Sequence, residues 1–259
     1  MDRIPLDLVG RVVNMLLYND YYKVDFTAMD LRERHVSAFS RLSRPWPQFV
    51  TSLQDCHLYV CGNMYSIHTM DNDHPNYHVI LWRSEVDILT WNRSRHVVAG
   101  VSFGGRPYCE CYPTCSRPLS PVVFRKLRNI LRRNQRPIST VYCSGDPEEL
   151  EANMDQLLPS IHGIGQLEVA SNLKNYVPRL LEIPVNYFDL SRFYKKDASL
   201  VDHMVEAMKK GLLRGWQSRY TTFAPYYDQE KMLSSVMDLH SVHPPKYFWY
   251  DRSKLSSDI

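Results

Sequence analysis

A chain of 259 residues with 44% hydrophobic and 23% charged residues carries enough apolar material for one large core or two modest ones. Its formal charge of +3 exerts no strong general pull on nucleic acid or an anionic membrane, so any such affinity has to be local. No apolar run approaches the roughly 18 residues that span a bilayer, and Asp7 and Arg11 interrupt the hydrophobic N-terminus, against a secretory signal.

The first element expected is a helix over residues 4–17, where Leu6, Val9, Val13, Leu16 and Leu17 recur at helical spacing and Pro5 sits in the first turn. A second runs over residues 30–42, with Leu31, Val36, Phe39 and Leu42 apolar among charges, until Pro45 and Pro47 break it. Between residues 56 and 103 the period shortens. Runs at 57–61, 63–67, 77–82 and 96–103, separated by Gly, Asn and Asp, read as strands of a small sheet or meander. Gly104, Gly105, Pro107, Pro113, Pro118 and Pro121 then make a joint over residues 104–121.

Beyond that joint a helix-then-strand pattern recurs, over residues 122–143, 147–170, 173–190 and 198–223. Val123, Phe124, Leu127, Ile130 and Leu131 form one helix face, followed by a strand at 138–143. Asp146, Pro147, Glu148 and Glu149 supply the cap, first-turn proline and acidic first turn of the next helix, whose strand is expected at 167–170. Leu180 and Leu181 precede a strand at 187–190. Val201, Met204, Val205, Met208 and Leu212 line a helix capped by Asp197, with a strand at 220–223 and a closing helix over residues 228–240. The helix ends at Leu131, Leu158, Leu181 and Leu213 are 27, 23 and 32 residues apart. That interval overlaps the spacing of leucine-rich repeats without their consensus Leu and Asn positions, and predicts a mostly parallel sheet with helices on one face and right-handed crossovers.

The apolar-Pro pair Ile4-Pro5, the Leu/Val-rich helix after it, and Ala38, Phe39, Leu42 and Trp46 resemble an F-box. With the long α/β half that follows, the chain resembles the nematode-type F-box-like families. The resemblance carries specificity over roughly the first 45 residues. It implies that Pro5, Leu6, Val9, Val13, Leu16 and Trp46 contact the adaptor subunit of a cullin-RING ubiquitin ligase, while the C-terminal domain captures a target protein. Residues 18–26, with Asn19, Asp20, Lys23 and Asp25, lack the Leu-rich middle of a full F-box. A stand-alone interaction protein that has lost adaptor binding therefore stays open.

Cys109, Cys111 and Cys115 lie within seven residues, with His96 upstream, but the run lacks the paired two-residue spacings of zinc modules. Ordinary reduced thiols are expected, with a zinc-stabilised protein as the alternative. His57, His68, His74 and His78 surround Asp71 and Asp73, which a turn between strands explains without an ion. No nucleophile elbow, phosphate loop or dinucleotide fingerprint occurs, so neither catalysis nor a cofactor is expected. Six cysteines without a signal suit a reducing compartment, the cytoplasm or nucleus.

Arg125, Lys126, Arg128, Arg132, Arg133 and Arg136 concentrate positive charge on one helix face, and Asp146, Glu148, Glu149, Glu151 and Asp155 follow on the next helix. Partial cancellation between neighbouring helices is the expected arrangement, with an acidic protein as the next partner considered; nucleic acid ranks last because no aromatic residue interleaves with the cations. The rings at 247–250 read as a sheet cap or an exposed anchor. Together these readings predict an α/β or α+β protein: an F-box-like segment at 1–47, a β-rich region and joint at 48–121, a repeat-like domain at 122–250 and a flexible tail at 251–259.

Overall fold

The computed structural model describes residues 54–70, 82–104, 116–134, 138–190 and 198–217, with Ser234 and Asp238. The chain is of mixed α/β class and divides into two compact units, Met1–Gly163 and Ile164–Ile259. The expected helices at 4–17 and 30–42, the F-box-like segment and the tail lie outside the described residues. So does the closing helix, apart from Ser234 and Asp238, which are helical.

In the first unit, strands β1 (Gln54–Cys61) and β2 (Met64–Met70) form an antiparallel hairpin through Gly62 and Asn63. Strand β3 (Trp82–Glu85) and the short β5 (Arg117–Pro118) both pair antiparallel with β2. Arg117 donates from Nε to Glu85 Oε1 at 2.7 Å and from Nη1 to Asp87 Oδ2 at 3.4 Å, which ties β5 to the residues at the end of β3. Strand β4 (His96–Phe103) does not continue a meander. It lies parallel to β1 on one side and to β6 (Ile138–Cys143) on the other, so the order within this unit is β3-β2-β1-β4-β6. Its composition explains the position. Val97, Val98, Ala99, Val101 and Phe103 are all buried, a run suited to an inner parallel strand covered on both faces rather than to a hairpin edge.

Helix α1 (Pro121–Arg132) precedes β6, and α2 (Pro147–Leu157) follows it. The Ser120 hydroxyl accepts from the Val123 N–H at 3.3 Å, with Pro121 in the first turn. The Asp146 carboxylate accepts from the Glu148 N–H at 2.9 Å, ahead of Pro147 and the acidic first turn. The two helices pack on each other, and α2 also packs on β1 and β4. Cys56, Leu58 and Val60 share a sheet face with Ile67, Val101, Phe103, Val141 and Cys143. These residues are buried with Leu127, Leu131, Leu150, Met154 and Leu157 of the helices, at roughly 1.5–3 kcal/mol for each large apolar side chain removed from water.

Two asparagines fasten this layer. Asn153 donates from Nδ2 to the Gly62 carbonyl at 2.8 Å, joining α2 to the hairpin turn. Asn134, just past α1, accepts from the Val98 N–H at 2.8 Å and donates to the Val98 carbonyl at 2.7 Å, beside the irregular register of β1 against β4.

The second unit contains strands β7 (Ile164–Val169), β8 (Val185–Asp189) and β9 (Leu213–Gln217), all parallel and adjacent in chain order. A 3-10 turn (Ser171–Tyr176) and α3 (Val177–Leu180) connect the first pair, α4 (Ala198–Lys209) connects the second, and α3 packs on α4. The strand after α4 begins seven residues before the expected 220–223, which lies outside the described residues. The reason is a tight helix stop. Gly211, at φ 71°, closes α4 with its N–H on the Met208 carbonyl at 2.9 Å and the Leu212 N–H on the Ala207 carbonyl at 2.9 Å, so the chain reverses at once.

Candidate interaction surface

The expected adaptor contacts Pro5, Leu6, Val9, Val13, Leu16 and Trp46 lie outside the described residues, as do Cys109, Cys111, Cys115, Asp71, Asp73, His74, His78 and residues 247–250. Among the described residues no group of three or more His, Cys, Asp and Glu side chains could hold a metal ion, and no helix is long and apolar enough to cross a membrane. Cys56 and Cys143 are buried core thiols, each pushed up to about 12. Burial is the main cause for both, and the charge of Asp55 adds to it at Cys56.

His57 and His68 stand opposite each other across β1 and β2, on the sheet face away from Leu58 and Ile67. The His57 Nε2 is hydrogen-bonded to Ser102 Oγ at 2.8 Å, and its ring stacks on Tyr59 with centroids 4.5 Å apart. The serine–histidine pair is a packing device. The two residues are only 4–5% exposed, and burial, helped by nearby His68, lowers the His57 imidazole to about 3. A general base has to take a proton near neutral pH, and an imidazole held there does not. Gly100 lies beside His57 on β4. A Cβ at that position would sit on His57 Nδ1, 2.7 Å from Cε1 and 3.1 Å from Cγ, so the ring requires a glycine there.

One strand pattern recurs that the helix-by-helix reading of the sequence missed. Thr140-Val141-Tyr142-Cys143, Gln166-Leu167-Glu168-Val169 and Tyr187-Phe188-Asp189-Leu190 each alternate polar and apolar residues, and Gly100-Val101-Ser102-Phe103 and Gly215-Trp216-Gln217 follow the same order with glycine first. All nine apolar side chains in these segments are at most 4% exposed. Within the first unit Gly100 opposes Thr140 and Ser102 opposes Tyr142; within the second, Gln166 opposes Tyr187 and Glu168 opposes Asp189. The period of two in each segment was the available signal.

In the second unit this alternation gathers Gln166, Glu168, Tyr187 and Asp189 on one sheet face. Gln166 donates from Nε2 to Asp189 Oδ2 at 3.0 Å, which holds a carboxylate that is only 1% exposed. Gln166, Glu168 and Tyr187 remain partly exposed, and so do Thr140 and Tyr142 in the first unit. Side chains of this kind, on rigid strands, suit hydrogen-bonded recognition of another macromolecule.

On α1, Arg125 and Arg132 are exposed on the side away from the buried Leu127 and Leu131, Lys126 and Arg128 are half-buried on its two flanks, and Arg133, at the C-cap, is exposed. The acids Glu148, Glu149, Glu151 and Asp155 of α2 are likewise exposed. The helices are neighbours, as expected, yet among the described residues no ion pair joins them. Arg125 and Arg132 on α1 and Glu148, Glu149 and Glu151 on α2 thus present their charge at the surface.

Comparison with protein-family models, with curated proteins and with solved structures finds no match to this chain.

Proposed function

We propose that the chain is a non-catalytic protein-interaction module: an F-box-like substrate receptor of a cullin-RING ubiquitin ligase, in which the α/β portion selects the target. The observation that carries this reading is the polar–apolar strand pattern repeated in register within each unit. What supports reading the α/β portion as a degenerate repeat is that β7, β8 and β9 of the second unit are parallel and follow in chain order, with α3 packed on α4. A surface of this kind suits binding, because within a unit each successive strand adds side chains to the same face. The adaptor contacts Pro5, Leu6, Val9, Val13, Leu16 and Trp46 come from the F-box resemblance.

Co-purification with the ligase adaptor tests the receptor role. The chain is expected to bind, and Leu6→Asp with Leu16→Asp to abolish binding while the thermal unfolding of the α/β portion stays unchanged. No association, under conditions in which an authentic F-box binds, would overturn the receptor role in favour of a stand-alone interaction protein.

A further inference from the structure

Helix α1 carries cations and no acid. Arg125, Lys126, Arg128 and Arg132 lie on the helix and Arg133 at its C-cap, and among the described residues none of these side chains forms an ion pair. At about 100° of rotation per residue, Arg128, Arg132, Arg125, Asn129, Val122 and Lys126 follow one another around an arc of about 160°. Val123, Phe124, Leu127, Ile130 and Leu131 take the other side, where Leu127 and Leu131 are buried. Val122 is 57% exposed, so an apolar side chain stands in solvent among the cations.

We infer that this arc of α1 is a docking face for an acidic segment of another protein. Its outline sets the partner's shape. From Arg125 to Arg133 the charges extend about 12 Å along the axis, and Val122 lies about 4.5 Å before them. An extended chain rises about 3.3 Å per residue, so a run of about four Asp and Glu residues covers the charges and an apolar neighbour reaches Val122. Lys126 and Arg128 are half-buried at the two edges of the arc, so part of their rotamer freedom is lost before a carboxylate engages them. Val122 and the alkyl stems of the arginines supply buried apolar area that charge pairing by itself lacks. Exposed ion pairs are individually weak and salt-screened, which makes the docking salt-sensitive.

The composition of the arc selects a protein segment over nucleic acid. A phosphate–sugar backbone offers little apolar surface to Val122, and no aromatic ring stands in the arc to stack a base. The positive charge is also local. The whole chain nets only +3, and α2, packed on α1, exposes Glu148, Glu149 and Glu151, so a long polyanion gains nothing beyond α1 itself. α1 belongs to the helical layer over the apolar sheet face, whereas Thr140 and Tyr142 lie on the other face, so this docking stands apart from the adaptor and from selection by the strands.

Fluorescence anisotropy on the full chain tests it. The probe is a fluorescein-labelled peptide of about ten residues, all Asp and Glu except one leucine, set against its Asn and Gln counterpart and a labelled DNA duplex of about ten base pairs. The acidic peptide is expected to bind at about 50 mM salt and to weaken at least about tenfold by about 500 mM, and the neutral one not to bind. Arg125→Gln with Arg132→Gln, both at exposed positions, should weaken binding at least about fivefold, whereas Arg125→Lys with Arg132→Lys should keep most of it. Thermal melts check folding. A readout on the wild type needs no variant: the bound peptide should protect Lys126 from acetylation by an activated ester, read by peptide mapping. No binding at low salt, equal binding by the glutamine variant, Lys126 acetylated alike with and without the peptide, or a duplex bound more tightly than the peptide would each overturn the inference.

Discussion

Replacing Gly100 by alanine adds one methyl group to β4 and sets it against a ring that has nowhere to go. The new Cβ would fall on His57 Nδ1 and 2.7 Å from Cε1, where ordinary van der Waals contact begins near 3.4 Å. His57 is fixed by its 2.8 Å hydrogen bond to Ser102 and by stacking on Tyr59 at 4.5 Å. Moving the ring orphans a buried hydroxyl, at a cost of about 1–3 kcal/mol, whereas holding it forces the strands apart, with an overpacking cost of about 1–3 kcal/mol. Whichever route the molecule takes, a loss of about 2–3 kcal/mol follows, well above a routine surface substitution. Urea unfolding followed by far-ultraviolet circular dichroism measures it as a lower midpoint at unchanged slope. The decisive comparison is a double-mutant cycle with His57→Ala, which removes the ring and should make Gly100→Ala nearly neutral, a coupling of about 2 kcal/mol. An alanine at 100 that costs under about 0.5 kcal/mol, or the same cost with and without the ring, would refute the reasoning.

Acid should weaken the fold through the same residue. Because the folded imidazole of His57 titrates at about 3 against an ordinary 6.5, its contribution is fully present above pH 6.5 and drains away as pH falls towards 3. The unfolded chain binds the extra proton in that window, which gives a slope of about 1.4 kcal/mol per pH unit. Burial lowers His68 as well, against the raising charge of Glu85, so its slope has the same sign. Urea titrations between pH 7 and pH 5 measure the slope, and His57→Gln should reduce it. Cys56 and Cys143, raised to about 12, should resist iodoacetamide at pH 8 in the folded protein and react once urea unfolds it, whereas half-buried Cys61 reacts first; peptide mapping after alkylation reads the order. Asn134→Ala removes both hydrogen bonds to Val98 and is expected to cost about 2 kcal/mol, seen as an earlier urea midpoint.

Local signals made several elements legible before any coordinates. The β-branched run at 96–103 and the run at 138–143 coincide with β4 and β6, because apolar clusters bounded by glycine or proline resolve to strands whatever surrounds them. The start of α2 was equally plain, since Asp146, Pro147, Glu148 and Glu149 act on their own backbone within one turn. A parallel arrangement also followed from helices alternating with strands, as β7, β8 and β9 bear out.

What the linear order could not decide is which strands become neighbours. β4 crosses to the far side of β1 because a strand buried on both faces needs two partners, and that demand is met only once the sheet assembles. The same assembly brings Gly100 under His57 from 43 positions away, and Gln166 to Asp189 from 23. Charges on α1 and α2 show the limit most clearly. Their signs and helical faces were written in the chain, but whether opposite charges come within pairing distance depends on helix rotation and axial offset, which the apolar stripes set by burying Leu127, Leu131, Leu150 and Met154. Core packing outweighs weak surface attraction, and the two rows are left facing solvent.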